Sequence, residues 1–119
     1  MQRGNEASRT MGRDEIYPGT LDLLILKTLR REGKMHGFEI ARAIQERSGD
    51  VLRVEEGSLY PALQRMLIKG WVNGEWGVTD ENRRARYYRL TAAGKKQLAT
   101  EVSQFERVMG AMKKVIETA

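Results

Sequence analysis

The feature that most limits how this chain can fold is a long apolar seam near its C-terminus. The seam residues recur at spacings of 4, 3, 4, 3 and 4 positions, and they are Leu98, Val102, Phe105, Met109, Met112 and Ile116. This heptad spacing predicts one continuous helix over residues 91–119, with Thr91 as its N-cap. Helices in globular proteins average roughly 11 to 12 residues, so this one would overhang a small body. We therefore expect a dimerisation helix whose partner is a second copy of the chain.

Composition describes one small domain with a single core, because the 119 residues are 40% hydrophobic and 31% charged. The chain has no cysteine and one histidine, which excludes a disulfide scaffold and argues against any metal site. No apolar run approaches the roughly 20 residues of a membrane span, so we expect a cytoplasmic protein. The net charge of +5 favours a polyanionic partner.

The N-terminal half predicts an arm followed by helices. Residues 1–18 mix arginines with acidic residues and have almost nothing apolar before Ile16, so we expect a mobile arm. A first helix begins after Thr20 and is apolar around most of its circumference, which requires burial on two sides. A second helix covers residues 36–49.

The rest of the body predicts a short strand, a third helix and a hairpin. The strand lies at residues 52–54, and the helix covers residues 55–70 with Pro61 in its first turn. Residues 71–76 and 85–90 are rich in β-formers and flank a polar stretch, which predicts an antiparallel hairpin. This order is that of a winged helix-turn-helix: a mainly α fold with a small β-hairpin, over residues 19–90.

On that plan the third helix faces DNA with the side opposite Leu59, Leu63 and Met66. The predicted outward residues are Ser58, Pro61, Ala62, Gln64, Arg65 and Lys69. Gln64 and Arg65 can reach adenine or guanine edges, and Ser58 with the amides at the helix start suits a phosphate. The hairpin adds positive charge for a neighbouring backbone or minor groove through Arg83, Arg84, Arg86 and Arg89.

Several segments resemble the PadR family of bacterial transcriptional regulators. They are HGFEI at 36–40, GSLYPALQRM at 57–66, KGW at 69–71, EW at 75–76 and RARYYRLTAAGKKQL at 84–98. The resemblance implies a winged-helix dimer that represses promoters and often loses DNA affinity when a small molecule binds. The single C-terminal helix is similar to that of the compact PadR subgroup.

The resemblance also implies roles for individual residues. Those placed on DNA by the recognition helix are Ser58, Tyr60, Pro61, Gln64 and Arg65. Gly37 and Phe38 match the start of the second helix, against the DNA backbone, and Arg84 and Arg86 match a basic wing. The chain departs from the family pattern at Phe38, which replaces a commoner tyrosine, at Trp71, and in its longer arm.

Other functions fit the sequence less well. An enzyme is disfavoured because the chain shows no nucleophile with a base, no metal set and no phosphate-binding glycine loop, and no cofactor is expected. A protein-interaction module and a sequence-indifferent nucleic-acid binder remain as alternatives. His36 is interpreted as a polar helix-start residue and Tyr87-Tyr88 as alternating strand residues. Trp71 and Trp76 are interpreted as packing at the root of the wing, with the alternative that one of them borders a ligand cavity.

A ligand site is the least constrained expectation. Methionines adapt their packing, so the seam could admit a small apolar or phenolic effector. The residues expected to line that site are Trp71, Phe105, Met109 and Met112. The alternative is a rigid seam with no cavity.

Overall fold

A computed structural model of the chain describes residues 14–16 and 19–119. In chain order the elements of the N-terminal part are β1 (Asp14–Glu15), α1 (Leu21–Glu32), β2 (Met35–His36), α2 (Gly37–Arg47) and β3 (Leu52–Arg53). They are followed by α3 (Glu56–Ile68), β4 (Val72–Val78), β5 (Arg84–Leu90) and α4 (Ala92–Glu117). The predicted fold class is confirmed: the chain is mainly helical, with a small antiparallel sheet and a long C-terminal helix.

Helix α1 lies at the centre of the core and contacts α2, α3, α4 and β5. Its residues Ile25, Leu26 and Leu29 are almost completely buried. The one buried polar side chain on this helix, Thr28, donates from Oγ1 to the carbonyl of Leu24 at 2.7 Å. A helix so apolar is therefore surrounded on several sides, as its sequence predicts.

The sheet has the strand order β2-β5-β4 and is antiparallel throughout. Strands β4 and β5 form the predicted hairpin, in register from Val72 opposite Leu90 to Val78 opposite Arg84. Both strands extend further than expected into the polar stretch, which leaves residues 79–83 as the loop. We call residues 72–90 the wing. Tyr88 is buried and Tyr87 half-buried, which confirms the alternation expected of that pair.

Helix α4 is fixed to the root of the wing by its first turn. Thr91 accepts a hydrogen bond from the Gly94 amide at 3.0 Å, which confirms the predicted N-cap, and its own amide donates to the Trp71 carbonyl. A side chain at Gly94 would overlap that carbonyl. Glycine at this position therefore lets the helix approach the strand closely.

The structure corrects two expectations about the body. Residues Asp14–Glu15 pair in parallel with Leu52–Arg53, and Ile16 packs against the core. The mobile arm predicted over residues 1–18 is therefore too long at its C-terminal end. The rest of that arm, residues 1–13 and 17–18, lies outside the described residues. Pro61 lies in the second turn of α3 rather than the first, where it cannot donate to the carbonyl of Gly57.

The apolar seam is divided between two environments. Leu98 is buried in the chain's own core and Val102 packs against that core, whereas every residue from 103 onward is exposed. The first part of the seam therefore has an intramolecular partner.

Among the described helices, none combines the length and apolarity needed to cross a membrane.

Candidate nucleic-acid interface

The outward face of α3 carries almost all the residues predicted for it. The residues found exposed are Ser58, Tyr60, Pro61, Gln64, Arg65 and Lys69. Ala62 is a correction, because it is 1% exposed and packs into the core with Leu59, Leu63 and Met66. These buried positions follow the i, i+3, i+4, i+7 spacing of a single helix face, which leaves Ala62 inside. Ile68 is 78% exposed and is the large aliphatic residue on the open side.

The N-terminus of α3 is less suited to a phosphate than the sequence suggested. Its N-cap is Glu55 and its first residue is Glu56, and the Glu55 side chain accepts no capping hydrogen bond from the first amides of the helix. Glu55 pairs with Arg53 at 3.1 Å. Two carboxylates at this end oppose an incoming anion, although they stabilise the helix dipole.

Arg65 is not free on the surface of α3. Its Nη2 lies 2.8 Å from Oδ1 of Asp22, in the first turn of α1. The arginine keeps other donors available, since a guanidinium has five. Any contact of Arg65 with a base therefore starts from a side chain already restrained by a carboxylate.

Tyr60 connects α3 to the start of α2. A Cβ at Gly37 would lie 2.7 Å from the Tyr60 ring, so a side chain at this position would displace the ring. Burial raises the pKa of Tyr60, and the neighbouring Glu56 carboxylate raises it further, so the hydroxyl stays protonated at neutral pH. The tyrosine can thus donate a hydrogen bond to a phosphate or base.

The start of α2 is organised by a capping box. The Glu39 amide donates to Nδ1 of His36 at 3.4 Å, and the His36 amide donates to the Glu39 carboxylate at 3.0 Å. The interpretation of His36 as a helix-start residue is confirmed. Phe38 is 62% exposed, and the Arg42 guanidinium lies 5.4 Å from the centre of its ring. The amides of Gly37 and Phe38 have no intrahelical acceptor and can face an anion.

A groove of about 830 Å³ lies between the start of α2, Tyr60 and the wing. Arg42, Arg83, Arg84 and Arg86 line it, as do the carboxylates of Glu39, Asp80 and Glu81. The structure therefore brings together Gly37, Phe38, Tyr60 and three predicted wing arginines around one concave surface. Ser58, Pro61 and Arg65 instead line a separate cavity of about 470 Å³ beside α1.

The two tryptophans differ in position. Trp71 is half-buried at the root of the wing, with Nζ of Lys69 4.9 Å from its ring centre. Trp76 is 59% exposed in the middle of the wing, so its interpretation as root packing is wrong.

The residues predicted to line an effector site are not gathered within one chain. Trp71 contacts α4 at Gly94, in the first turn. Met112 lies about 27 Å further along the same helix, at 1.5 Å per residue. Phe105, Met109 and Met112 are each 40–50% exposed. Together with Trp71 they can form a single site only across two copies.

Three residues that contribute to this surface were missed in the sequence: Asp22, Arg42 and the exposed Trp76. In the sequence, Asp22 has no signal beyond its position in the first turn of α1. Arg42 could have been found by its spacing of four from Phe38, which places both on one helix face. Trp76 required the register of the hairpin, which the sequence does not give.

The architecture defines the protein class: a winged helix-turn-helix domain with a long C-terminal helix. Residues 25–100 match the transcriptional regulator PadR-like family. The chain belongs to this family, and it is accordingly a transcriptional regulator.

Solved structures agree with this assignment. A transcriptional regulator from Clostridium thermocellum is 28% identical with a TM-score of 0.75, over 83% of this chain and 95% of that one. A PadR family regulator from Eggerthella lenta is 26% identical with a TM-score of 0.72, over 85% of each chain.

Among curated sequences, an uncharacterised protein X from Lysinibacillus sphaericus is 30% identical over 98 residues, or 82% of this chain and 89% of that protein. An uncharacterised 37.1 kDa protein in transposon Tn4556 of Streptomyces fradiae is 36% identical over 97 residues. The match covers 82% of this chain but 25% of the transposon protein.

Proposed function

We propose that the protein is a sequence-specific DNA-binding repressor that acts in the cytoplasm as a homodimer. The observation that carries this proposal is the exposed face of α3 beside a groove lined by four arginines. A helix of this width enters a major groove, and the arginines would neutralise the phosphates next to it. A dimer bound across a promoter would exclude polymerase sterically.

Base reading is assigned to the middle of α3. Gln64 and Arg65 are exposed there and carry the donors that pair with adenine or guanine in the major groove. Pro61 lies about one turn before them and Ser58 nearly two turns before them. Lys69 lies at the end of the helix, where a phosphate contact is expected.

The dimer is proposed on the exposed half of the seam. Four seam residues, Phe105, Met109, Met112 and Ile116, are exposed, and Val108 and Val115 widen the same face. An apolar strip on an overhanging helix is typical of a helix-helix interface. A two-fold dimer would present two copies of α3 to half-sites about 34 Å apart, on a pseudo-palindromic operator.

The alternative, a winged helix that binds another protein, predicts exposed aliphatic side chains on α3. The exposed Ile68 supports this alternative. The polar or charged side chains of Gln64, Arg65 and Lys69 share the same open side and argue against it. The deciding experiment compares affinities for the intergenic DNA beside the protein's own gene and for a scrambled duplex. Strong preference for the intergenic DNA supports a repressor, equal affinities indicate sequence-indifferent binding, and no binding to either favours a protein partner.

An effector site is a second proposal, and it needs the dimer. The softness of Met109 and Met112 would let the interface repack around a small apolar or phenolic molecule, with Trp71 contributed by the other copy. Such a ligand changes DNA affinity only if it binds one dimer geometry better than another. Titration of candidate compounds against tryptophan fluorescence, followed by DNA binding with the best one present, tests it. Compounds that bind and leave DNA affinity unchanged would exclude the site.

A further inference from the structure

Trp76 shares one face of the wing with two of its arginines. It lies opposite Arg86 in the hairpin register, and Arg84 is the next residue on the same side of β5. The same face carries Tyr88 into the core, so it points toward the body of the protein. We call it the inner face of the wing.

Both guanidinium groups lie on the Trp76 ring. The central carbon of Arg84 is 4.3 Å from the ring centre, and that of Arg86 is 5.8 Å away. These distances are within the range of cation-π attraction. Trp76 is thus in contact with both cations, while its side chain remains 59% exposed.

Gly74 makes room for this arrangement. A Cβ at this glycine would lie 2.6 Å from Nε of Arg86, so the arginine crosses directly over the strand backbone. Within the described residues, that Nε atom is buried and has no hydrogen-bond partner. Arg86 is therefore oriented by the ring and the strand rather than by a carboxylate.

The opposite wall of the groove also suits a phosphate. It is formed by the amides at the start of α2 and by Arg42 on the Phe38 ring, with Tyr60 between the walls. The carboxylate of Glu39 on this wall already accepts from the His36 amide.

The tip of the wing has different chemistry. Its loop, residues 79–83, carries two exposed carboxylates, Asp80 and Glu81, and one exposed arginine, Arg83. Carboxylates at the tip would be repelled by the phosphates that flank a minor groove. The inner face, in contrast, carries Arg84 and Arg86 and no carboxylate.

We propose that Trp76 is a positioning residue that holds Arg84 and Arg86 against the phosphates of one DNA strand lying in the groove, while the wing tip stays outside the minor groove. The inference rests on the proposed DNA binding and adds how the wing takes part. Side chains fixed in advance lose less conformational entropy on binding, so the ring contributes to affinity without touching DNA.

The test compares three variants on a specific and a scrambled duplex over a salt series. Trp76→Leu removes the ring, Trp76→Phe keeps an aromatic face, and Val78→Ala changes an exposed residue on the same face as the matched control. Trp76→Leu should weaken binding to both duplexes by about 3- to 30-fold and flatten the salt dependence. Trp76→Phe should recover most of the affinity, and Val78→Ala should match the parent.

A double-mutant cycle separates positioning from a general structural effect. In an Arg84→Ala, Arg86→Ala background, Trp76→Leu should cause little further loss of affinity. Netropsin, which occupies the minor groove, should not compete with the protein. A full additive loss, failure of Trp76→Phe to recover binding, or competition by netropsin would each overturn the inference.

A measurement on the unaltered wing covers the case in which Trp76→Leu does not fold. The chain has two tryptophans, so Trp71→Phe leaves Trp76 as the only one. DNA should then protect Trp76 fluorescence from acrylamide quenching, and unchanged quenching would contradict a strand in the groove. If the parent protein binds neither duplex, the proposed function is wrong and this inference fails with it. If the parent protein binds DNA and the Trp76 variants bind equally well, only this inference is wrong.

Discussion

Arg65 on α3 donates to Asp22 on α1 across a distance of 2.8 Å, which joins the proposed recognition helix to the centre of the core. The pair is partly exposed, with side-chain exposures of 54% and 23%. An ion pair so placed contributes up to about 1 kcal/mol to stability. Its larger effect is on Arg65 itself, whose charge is partly neutralised and whose direction is fixed.

Asp22→Asn should therefore change DNA recognition more than stability. Without the carboxylate, the positive charge of Arg65 is no longer offset and its side chain is less restrained, so affinity for a scrambled duplex should rise and the ratio of specific to scrambled affinity should fall. Fluorescence anisotropy on both duplexes measures this ratio. The gain should vanish when Arg65→Ala is added, and a lower affinity for the scrambled duplex in Asp22→Asn would contradict the account.

Gln64→Ala should reduce sequence preference. The amide is the one exposed group on α3 that can make a paired contact with adenine, worth about 1 to 3 kcal/mol of discrimination. Lys69→Gln is the matched control: it should weaken specific and scrambled binding alike, because a lysine at the helix end contacts phosphate. If the two variants lose preference equally, the division of α3 into base-reading and phosphate-binding residues is wrong.

The exposed half of the seam should control the oligomeric state. Phe105→Glu with Met112→Glu places charges in the proposed interface and should give monomers by sedimentation, because burying unpaired charges is costly. Ser103→Glu, about half a turn from that face, should remain dimeric. Leu98 is a different case, since it lies in the core and Leu98→Glu should unfold the chain. If the double variant is still a dimer, the seam is not the dimer interface.

The contact between Gly94 and Trp71 predicts opposite effects for two glycines of α4. Gly94→Ala forces a methyl group onto the Trp71 carbonyl and should lower the free energy of unfolding by about 1 to 3 kcal/mol. Gly110 has open space around it, so Gly110→Ala should raise that free energy by about 0.5 to 1 kcal/mol through helix propensity. Urea denaturation of both variants checks this, and equal effects would contradict the close approach.

Local sequence signals were sufficient for much of this fold. The N-cap Thr91 and the start of α2 at His36 were predicted because capping depends on residues a few positions apart. The hairpin was predicted from β-formers around a polar loop. The exact ends of the two hairpin strands were not predicted, because strand pairing continues into residues that are polar but extended.

The remaining errors came from tertiary packing. The heptad spacing of Leu98 cannot distinguish a partner in the same chain from one in a second copy, and α4 packs its first part against α1. The spacing of Ala62, three residues after Leu59 and four before Met66, indicates the buried face, but alanine itself has no strong preference for either side of a helix. The clustering of Arg84 and Arg86 on Trp76 depends on register, which is a property of the folded sheet.

The central claim is that two copies of α3 read a pseudo-palindromic operator, and hydroxyl-radical footprinting on the intergenic DNA beside the protein's own gene tests it most directly. The account predicts two protected segments on one face of the duplex, with centres about 34 Å apart, and loss of the pattern in Gln64→Ala at concentrations where the parent still binds. Protection spread evenly along the DNA, or none at all, would contradict it.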